Sequence, residues 1–240
     1  MRFTDAEISR ANSVSIVEYA KSHGFELTRH SSREWKIHGF GGLTIDERKN
    51  QPKAANYRRL FAYLCNNRGC DAALVQTFVD EKLLYQDERG NCVFVGKDKD
   101  GDAQYAMLRG TASSFRGEVA GSDKSVGFRF CRGERERLFV FESPIDMLSW
   151  LTLAKLEGRK PLGHFLSLGG LNRPTLDRYL AEHPNILEIV LCVDNDAAGD
   201  TFAERLNGNH SISRLVPNGK DFNDDLTAAR EDEAEDELEM

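Results

Sequence analysis

The sequence predicts an α/β fold, with a parallel sheet flanked by helices and a smaller α+β region before it. From residue 138 onward, short apolar runs alternate with helical segments, which is the pattern of βαβ units with right-handed crossovers. The run 186–193 is apolar except for Glu188, as in a parallel strand covered on both faces. Before residue 137, helices and hairpin strands follow one another without this alternation, and they indicate the smaller region.

Composition places the chain among ordinary globular proteins. Its 240 residues can form one large domain or two small ones, and 40% are hydrophobic and 30% charged. No apolar run approaches the roughly 20 residues that span a bilayer, and the N-terminus lacks the apolar core of a signal peptide. We therefore expect a cytoplasmic protein with no membrane partner. The five cysteines include no C-x-x-C pair, so we expect neither disulfides nor zinc.

The net charge of -7 arises from the end of the chain. Residues 231–240 contain seven acids and no base, and without them 32 acidic residues face 32 basic ones. The composition predicts that residues 229–240 form a solvated, disordered acidic tail. The rest of the chain is then close to neutral.

Local patterns predict the elements before residue 137. Amphipathic spacing indicates three helices, at 13–22, 54–64 and 72–81. Short strands are expected between residues 25 and 49, and residues 49–52 have the composition of a linker. The dipeptide Asp100-Gly101 predicts a hairpin between strands 91–95 and 103–108.

Basic residues alternate with phenylalanines between residues 109 and 132. This composition is typical of a surface that contacts phosphates and stacks on bases. It is equally typical of a solvated hairpin with a few buried rings, and the sequence leaves both interpretations open. The first assigns nucleic-acid binding to Arg109, Arg116, Lys124 and Arg129.

The elements after residue 137 are predicted in strict alternation. They are strand 138–141, helix 144–157, strand segment 164–170, helix 175–182, strand 186–193, helix 199–206 and strand 211–216. Ser143 and Pro144 suit the cap and the first residue of helix 144–157. The small residues Ala197, Ala198 and Gly199 would let helix 199–206 approach its strand closely.

Acidic residues follow three of these strands. Glu142 ends the first, and a carboxylate that ends a buried strand is costly unless it has a partner. Asp194 and Asp196 follow strand 186–193, where side chains two residues apart point to the same side and can share a cation. The alternative is that Asp196 only caps the next helix. Asp146 can likewise be explained as an acid favoured at a helix start.

The last strand is followed by Lys220, Asp221 and Asp224. The carboxyl ends of parallel strands meet at one edge of a sheet, so all of these acids are expected there. Carboxylate oxygens with water and substrate phosphates are the ligands that Mg²⁺ prefers, and Mn²⁺ is an alternative ion. Such a site can hold one or two ions for phosphoryl transfer.

The ordered motifs resemble the Toprim domain of primases, topoisomerases and related nucleases. Glu142 with Asp146, then D-x-D-x-A-G at 194–199, then K-D-x-N-D at 220–224 follow the Toprim order, and Ser-Leu-Gly-Gly at 167–170 resembles a Toprim loop. Topoisomerases usually carry an acid where this chain has Ala198, so the pattern is closer to bacterial primases. The resemblance covers residues 137–226 and is strongest for Toprim proteins of bacterial mobile elements.

The resemblance also implies a domain organisation. A Toprim domain would span 137–228, and an upstream α+β subdomain of unknown function, similar to part of the primase core, would span 51–136. Residues 1–50 resemble a degenerate primase zinc module, but no cysteine precedes Cys65, so the usual zinc ligands are absent.

The family roles can be carried over to matching positions. Glu142 would act as general acid/base or as a metal ligand, with Asp194 and Asp196 binding Mg²⁺ and Asp146 supporting them. Lys220 would contact phosphate as a second catalytic residue. Further candidates for the site are Asp200, Asp221 and Asp224.

These roles imply a primase-like enzyme that transfers nucleotides on single-stranded DNA. A Toprim nuclease and a non-catalytic nucleic-acid-binding module of a mobile element remain as alternatives. Intact acids argue against the binding module, and the missing cysteines argue against a fully equipped primase. Topoisomerase activity is not expected, because the chain is too short for a strand-passage domain with its tyrosine nucleophile.

Overall fold

The computed structural model describes residues 27–29, 34–37, 44–46, 54, 56–133, 136–206 and 210–239. It separates the chain into two compact units, Met1–Gln51 and Pro52–Met240. The predicted helix 13–22 and the predicted linker 49–52 lie outside the described residues. Within the described part, no helix is both long and apolar enough to cross a membrane.

The first unit contains a small antiparallel sheet. Its strands are β1 (Leu27–Arg29), β2 (Glu34–Ile37) and β3 (Thr44–Asp46), paired in the order β1-β2-β3. The short strands predicted between residues 25 and 49 are therefore confirmed.

The second unit begins with two helical segments. Helix α1 (Arg58–Phe61) continues into a π-helical turn, Ala62–Asn67, and helix α2 spans Ala72–Asp80. Both predicted helices are thus present. The first begins later than predicted, because the N–H of Ala54 donates to the carbonyl of Gln86 instead of joining a helix.

A four-stranded antiparallel sheet follows. It consists of β4 (Leu84–Gln86), β5 (Cys92–Lys97), β6 (Ala103–Arg109) and β7 (Arg116–Glu118), paired in that order. β5 and β6 form the predicted hairpin. At its turn, Asp98 Oδ1 accepts the N–H groups of Asp100 and Asp102 at 3.0 Å each, so this acid stabilises the turn.

The main sheet has five strands. They are β8 (Phe128–Arg132), β9 (Arg137–Phe141), β10 (Gly163–Ser167), β11 (Glu188–Cys192) and β12 (Ser211–Arg214), in the spatial order β12-β11-β9-β10-β8. The first four in this order are parallel, as predicted, and β8 pairs antiparallel with β10 at the edge. β8 was not predicted, although its Phe-Arg-Phe-Cys-Arg sequence alternates with the period of a strand.

Four helices complete the unit: α3 (Pro144–Leu156), α4 (Arg173–Glu182), α5 (Ala197–Glu204) and α6 (Phe222–Glu239). α3 begins as predicted, with Ser143 as its cap. Residues 229–239, for which the charge predicts disorder, are helical and continue α6. Buried Phe222 and Leu226 anchor its first two turns, and the Glu and Ala residues that follow have high helix propensity.

Both faces of the main sheet are buried. Along β9, Leu138 and Val140 belong to one apolar cluster, which includes Leu176 of α4. Phe139 and Phe141 alternate with them and belong to the other cluster, which includes residues of α1, α2, α3 and α6. The core of the upstream elements is therefore continuous with that of the main sheet, and the predicted division at residues 136 and 137 stays a prediction.

An aromatic ladder joins three strands of the main sheet. The ring of Phe165 on β10 stacks on Phe130 of β8 and on Phe139 of β9, with centroid distances of 4.7 and 5.2 Å. The three residues are direct partners in the strand register. Stacked rings of this kind contribute beyond their buried area, and they fix the edge strand β8 in place.

Asp71→Ala tests the cap that starts α2. Asp71 accepts hydrogen bonds from Leu74 N–H at 2.8 Å and from Lys155 Nζ at 2.7 Å. Partial burial raises the pKa of the Asp71 carboxyl, but these hydrogen bonds outweigh that effect and lower the pKa below 3.8. The substitution should reduce the free energy of unfolding by about 1 kcal/mol, mostly through the lost cap.

The loss should depend on pH. Because the pKa in the folded state lies below the unfolded value of 3.8, ionised Asp71 stabilises the fold above that pH. Its contribution is lost as the pH falls through the folded-state value. Urea unfolding from about pH 7 to about pH 3 measures this. Asp177→Ala, which removes an exposed ion pair with Arg173, should cost about 0.5 kcal/mol or less. Equal losses for the two variants would contradict the prediction.

Candidate functional site

The register of two neighbouring strands brings the first two acids together. β9 and β11 are parallel, and Cys192 lies opposite Phe141. Glu142 comes directly after Phe141, and Asp194 comes two residues after Cys192. Both side chains therefore leave the sheet at its carboxyl edge, where parallel sheets commonly bind ligands.

Asp146 is held at the same edge by the start of α3. Its N–H donates to Ser143 Oγ at 3.3 Å, and the Ser143 hydroxyl donates to Asp146 Oδ2 at 2.6 Å. The side chain is nearly fully buried, with 6% of the residue exposed. Asp146 is thus a fixed, buried carboxyl group and not a solvated acid at a helix start.

A cavity of about 120 Å³ lies at this edge of the sheet. Four acids line it, namely Glu142, Asp146, Asp194 and Asp221, and four bases, namely Arg68, Arg109, Arg116 and Lys220. The acids follow three neighbouring parallel strands, β9, β11 and β12. Three of the bases come from upstream elements, so the cavity joins the upstream elements to the main sheet.

Burial, together with neighbouring negative charges, raises the pKa values of Glu142 and Asp146. Burial, followed by the charges of Asp194 and Asp196, raises the pKa of Glu142 to about 7, although Lys220 and Arg116 act in the opposite direction. Burial also raises the pKa of Asp146 to about 7, against the effect of the hydrogen bond from Ser143.

Asp194 shows the same effect. Burial, then the charges of Asp221 and Asp196, raise the pKa of its carboxyl group. Carboxylates that repel one another in a cavity are stabilised in their ionised form by a nearby cation.

Asp196 caps helix α5. Its Oδ1 accepts the N–H groups of Ala198 and Gly199 at 3.0 and 2.9 Å, which is the capping interpretation left open by the sequence. The charge of Asp196 still raises the pKa values of Glu142 and Asp194, so its carboxyl group lies near theirs. Its other oxygen, Oδ2, forms no hydrogen bond with any described residue.

The remaining candidate acids have different surroundings. Asp221 lines the cavity, and its Oδ1 accepts the N–H groups of Asn223 and Asp224 at 2.9 Å each, at the start of α6. Asp224 is exposed and acts on Asp194 only through its charge. Asp200 is exposed and forms an ion pair with Arg214, so the structure places it outside the cavity.

The candidate bases separate into two groups. Arg109 and Arg116 line the cavity. Lys124 does not line it and forms an ion pair with Glu118 at 2.5 Å. Arg129 is buried, and its guanidinium donates to Glu182 and to the carbonyl of Lys97, each at 2.5 Å. Arg129 therefore connects Lys97 of β5 to Glu182 of α4, and its nucleic-acid-binding role stays a prediction.

Asn195, between the two aspartates of the D-x-D motif, connects two loops at the site. Its N–H donates to the carbonyl of Lys220 at 2.8 Å. Its side-chain amide donates to the carbonyls of Pro217 and Gly219 at 3.2 and 3.3 Å. The loop that carries Asp194 thereby positions the loop that carries Lys220.

Gly199 lets helix α5 approach the loop that carries Asp194. A Cβ atom at residue 199 would overlap the carbonyl oxygen of Asp194. That carbonyl also accepts a hydrogen bond from Arg214 Nη2 at 2.9 Å. The close approach predicted for the small residues 197–199 is thus confirmed at Gly199.

The sequence did not single out Arg68 or Tyr63, and it gave Asn223 no role beyond its place in the K-D-x-N-D motif. Arg68 Nη1 donates to Asn223 Oδ1 at 2.8 Å, and Asn223 Nδ2 donates to the carbonyl of Arg68 at 2.8 Å. Asn223 is buried and also bonds to Ser149 Oγ at 3.0 Å. Basic residues are common at helix C-termini because the helix dipole favours them there. The local sequence therefore did not distinguish Arg68 from such a residue.

The carboxylates of the cavity suit a Mg²⁺ ion that also binds water and substrate phosphates. Among the described residues, no group of three or more His, Cys, Asp or Glu side chains is arranged to hold a metal ion by itself. Mg²⁺ does not require such a cage, because it usually binds through one or two carboxylates, several waters and substrate phosphates. Glu142 and Asp194, two of the half-buried carboxyls in the cavity, are the residues that would hold it.

Comparison with protein families identifies the two parts of the second unit. Residues 139–226 match the Toprim-like family, and residues 62–135 match a protein family of unknown function, DUF3991. In this chain, a match to a domain of unknown function is therefore followed by a match to the Toprim-like domain. This confirms the resemblance that the sequence motifs indicate.

Two related proteins and one solved structure are similar to this chain. The uncharacterized protein pXO2-78 of Bacillus anthracis is 23% identical over 85% of this chain and 80% of its own length. A 65 kDa protein of Zymomonas mobilis is 28% identical over 77% of this chain, but over only 32% of its own length. The primase fragment of the bacteriophage T7 primase-helicase protein has the same fold, with a TM-score of 0.54, 18% identity and 72% of each chain covered.

Gly199→Ala tests the close approach of α5. Because a Cβ atom would overlap the Asp194 carbonyl, the substitution should lower the free energy of unfolding by about 3 kcal/mol, as overpacking does. Gly158→Ala is the matched control, since Gly158 has a φ of +71° and no heavy atom within 4 Å of its Cβ position. It should cost about 1 kcal/mol through backbone strain alone. Chemical denaturation measures both, and equal losses would contradict the steric explanation.

Asn195→Ala tests the connection between the two loops. Loss of the amide hydrogen bonds to Pro217 and Gly219 should reduce the free energy of unfolding by about 1–2 kcal/mol. The amides of residues 217–221 should also exchange faster with solvent. Asn218→Ala is the control, because its side chain forms no hydrogen bond with any residue that the structure describes, while its backbone N–H donates to Asp225 Oδ2 at 2.9 Å. Unchanged exchange in the Asn195 variant would show that its side chain does not position the loop.

Proposed function

We propose that this protein catalyses Mg²⁺-dependent phosphoryl transfer on nucleic acid, in the primase-like form of nucleotidyl transfer. The observation that carries the proposal is the cavity in which acids from three neighbouring strands face bases of the upstream elements. Acids alone would suit many cations. Acids and bases in one cavity suit a metal ion together with the phosphates that it contacts.

Glu142 and Asp194 would hold Mg²⁺, and Asp146 would support them from α3. When bound, Mg²⁺ would neutralise charge on the phosphoryl oxygens and orient the reacting groups. The alternative role for Glu142, in place of metal ligand, is that of general acid/base, because in the absence of metal its pKa is raised to about 7. Asp196 contributes its charge to the site, while its Oδ1 stays engaged as the cap of α5.

Lys220 and Arg116 are suited to contact phosphate. Both are exposed at the cavity, and among the described residues neither forms an ion pair. They lie close enough to Glu142 to lower its pKa, so a phosphate held between them would lie beside the acids. Phosphoryl transfer requires above all that the reacting groups are held close together and in the correct orientation.

The partner would be single-stranded nucleic acid, with nucleotides as the second substrate. The T7 protein with the same fold is the primase fragment of a primase-helicase, which supports the primase-like form. The relative pXO2-78 is a plasmid protein, which supports a role in a mobile element.

A Toprim nuclease is the second candidate. The same acids would position a metal ion for cleavage, and no nucleotide would be needed. The absence of cysteine before Cys65 favours this candidate, because the chain lacks the thiolate ligands of the zinc module that accompanies primases. A binding module without catalysis is the third candidate.

Asp194→Asn tests these functions together. The protein would be incubated with labelled single-stranded DNA and supercoiled DNA, with and without nucleotides, in Mg²⁺ or Mn²⁺. We expect products that require nucleotides, and we expect Asp194→Asn to reduce their rate about 10²-fold or more, because the variant loses a charged metal ligand.

The control is Asp177→Asn on the exposed face of α4, where the acid pairs with Arg173. It should retain the full rate. Shortened DNA without nucleotides would favour the nuclease. DNA binding without any product, unchanged in Asp194→Asn, would exclude both enzymes and leave the binding module.

A further inference from the structure

Arg214 reaches the loop of the D-x-D motif from the neighbouring strand. β11 and β12 are parallel, and Arg214 lies opposite Leu191, which precedes Asp194 by three residues. The Nη2 group of Arg214 donates to the carbonyl oxygen of Asp194 at 2.9 Å, and its Nη1 group donates to the carboxylate of Asp200 in the first turn of α5. One guanidinium group therefore connects β12, the loop after β11 and the start of α5.

The peptide group between Asp194 and Asn195 is hydrogen-bonded at both ends. Its carbonyl oxygen accepts from Arg214, and its N–H donates to the carbonyl of Lys220 at 2.8 Å. A peptide group is planar, so bonds on its two opposite sides fix its orientation. Strand β11 and the buried Val193 fix the chain before Asp194. The direction in which the side chain of Asp194 leaves the backbone is therefore set from both sides.

Arg214 is more buried than its ion pair with Asp200 requires. The side chain of Arg214 is 20% exposed, whereas that of Asp200 is 59% exposed. The Nε atom of Arg214 is buried and has no hydrogen-bond partner among the described residues. Burial of part of a guanidinium group costs free energy, and an ion pair with an exposed carboxylate offsets little of it. The bond to the Asp194 carbonyl is thus the contact that distinguishes this arginine from a surface ion pair.

Gly199 leaves space for this bond. A Cβ atom at residue 199 would overlap the carbonyl oxygen of Asp194 and would lie 3.2 Å from Nη2 of Arg214. The donor and the acceptor of the bond therefore both lie beside the residue of the motif that has no side chain. Any side chain at position 199 would disturb the bond at both of its ends.

We propose that Arg214, oriented by Asp200, is a positioning residue that holds Asp194 in the direction required to bind a divalent metal ion. This proposal rests on the proposed function, in which Asp194 is a metal ligand, and it adds two residues that do not line the cavity. Outer partners of a metal ligand fix its orientation, and their loss commonly weakens metal binding about 10-fold to 100-fold.

The shape of the arginine side chain suits this role. Its planar guanidinium group carries its N–H donors in a fixed fork, so the contact of Nη1 with Asp200 also directs Nη2 towards the Asp194 carbonyl. A lysine would keep the positive charge but not the fork. Positioning and charge therefore predict different results for Arg214→Lys.

Titration of the metal-free protein with Mn²⁺, followed by electron paramagnetic resonance without nucleic acid or nucleotides, tests the role of Arg214. Arg214→Met keeps much of the length of the side chain and should weaken Mn²⁺ binding about 10-fold or more. Arg214→Lys should weaken it about 3-fold or more, because the fork that holds the carbonyl is lost. Wild-type affinity in Arg214→Lys, with a loss in Arg214→Met, would overturn the positioning role in favour of an effect of charge.

A double-mutant cycle tests whether Asp200 acts through Arg214. Asp200→Ala should weaken Mn²⁺ binding about 3-fold, and the variant that combines it with Arg214→Met should bind no more weakly than Arg214→Met alone. Additive losses would overturn the assignment of Asp200 as the residue that orients Arg214.

The matched control is Arg137→Met at the opposite edge of the sheet. Arg137 lies opposite Glu188 at the start of β9 and β11, and the two form an ion pair at 2.6 Å. This pair also joins two neighbouring elements, but it lies at the other end of β11 from Asp194. Its loss should leave Mn²⁺ affinity unchanged, and a loss equal to that of Arg214→Met would overturn the proposal. Thermal unfolding checks the fold of every variant. If Arg214→Met does not fold, Arg214→Lys and Asp200→Ala decide.

Amide hydrogen exchange of the metal-free protein gives a second readout that does not depend on metal binding. The N–H of Asn195 should exchange about 5-fold faster in Arg214→Met, because its peptide group is then held at one end only. Arg137→Met should not change this rate. Exchange at the wild-type rate in Arg214→Met would overturn the proposal.

The two readouts separate this proposal from the proposed function. Equal Mn²⁺ affinity in the wild type and in Arg214→Met would overturn the positioning role and leave the proposed function intact. Weaker Mn²⁺ binding in Arg214→Met, in a protein that forms no product, would support the positioning role and refute the enzyme. No Mn²⁺ binding by the wild type would refute the proposed metal site and the part of this proposal that concerns the metal, and exchange at Asn195 would decide whether Arg214 fixes the loop.

Discussion

The parallel pairing of β9 with β11 is the constraint on which the site depends. The register that sets Cys192 opposite Phe141 places Glu142 and Asp194 at one edge of the sheet. The same pairing requires both faces of the sheet to be covered, which the two apolar clusters do. A shift by one residue would turn the apolar side chains of β9 to the opposite faces, so the core that stabilises the fold also fixes the acids.

The site is completed by two parts of the chain that are far apart in sequence. The Toprim-like part supplies the acids and Lys220, and the upstream domain supplies Arg68, Arg109 and Arg116. Asn223 of α6 bonds to Arg68 in both directions and joins the two parts beside the cavity. Since the two parts also share one apolar core, the bases are held in place by packing as well as by hydrogen bonds.

Much of the fold could be predicted because its signals are local. Apolar runs followed by acids indicated parallel strands with a site at their carboxyl ends, and Ser143 with Pro144 indicated the start of α3. The missed elements lacked such signals or carried conflicting ones. β8 combines strand alternation with arginines, and in α6 the dense negative charge that predicts solvation coexists with residues of high helix propensity. The ion pair of Arg129 with Glu182 was not predicted, because a basic residue near phenylalanines does not reveal which group it contacts.

The sequence by itself determined the class of the fold, the order of its strands along the chain and the acids that follow them. These depend on periodicity and on neighbours in the chain. Only the tertiary structure decided which charged groups meet. In the folded protein, one oxygen of Asp196 caps α5, and Asp200 pairs with Arg214. Arg129 is buried, and Arg68 and Arg109 both donate to Tyr63. Contacts between residues distant in the chain depend on packing and register, which no local pattern encodes.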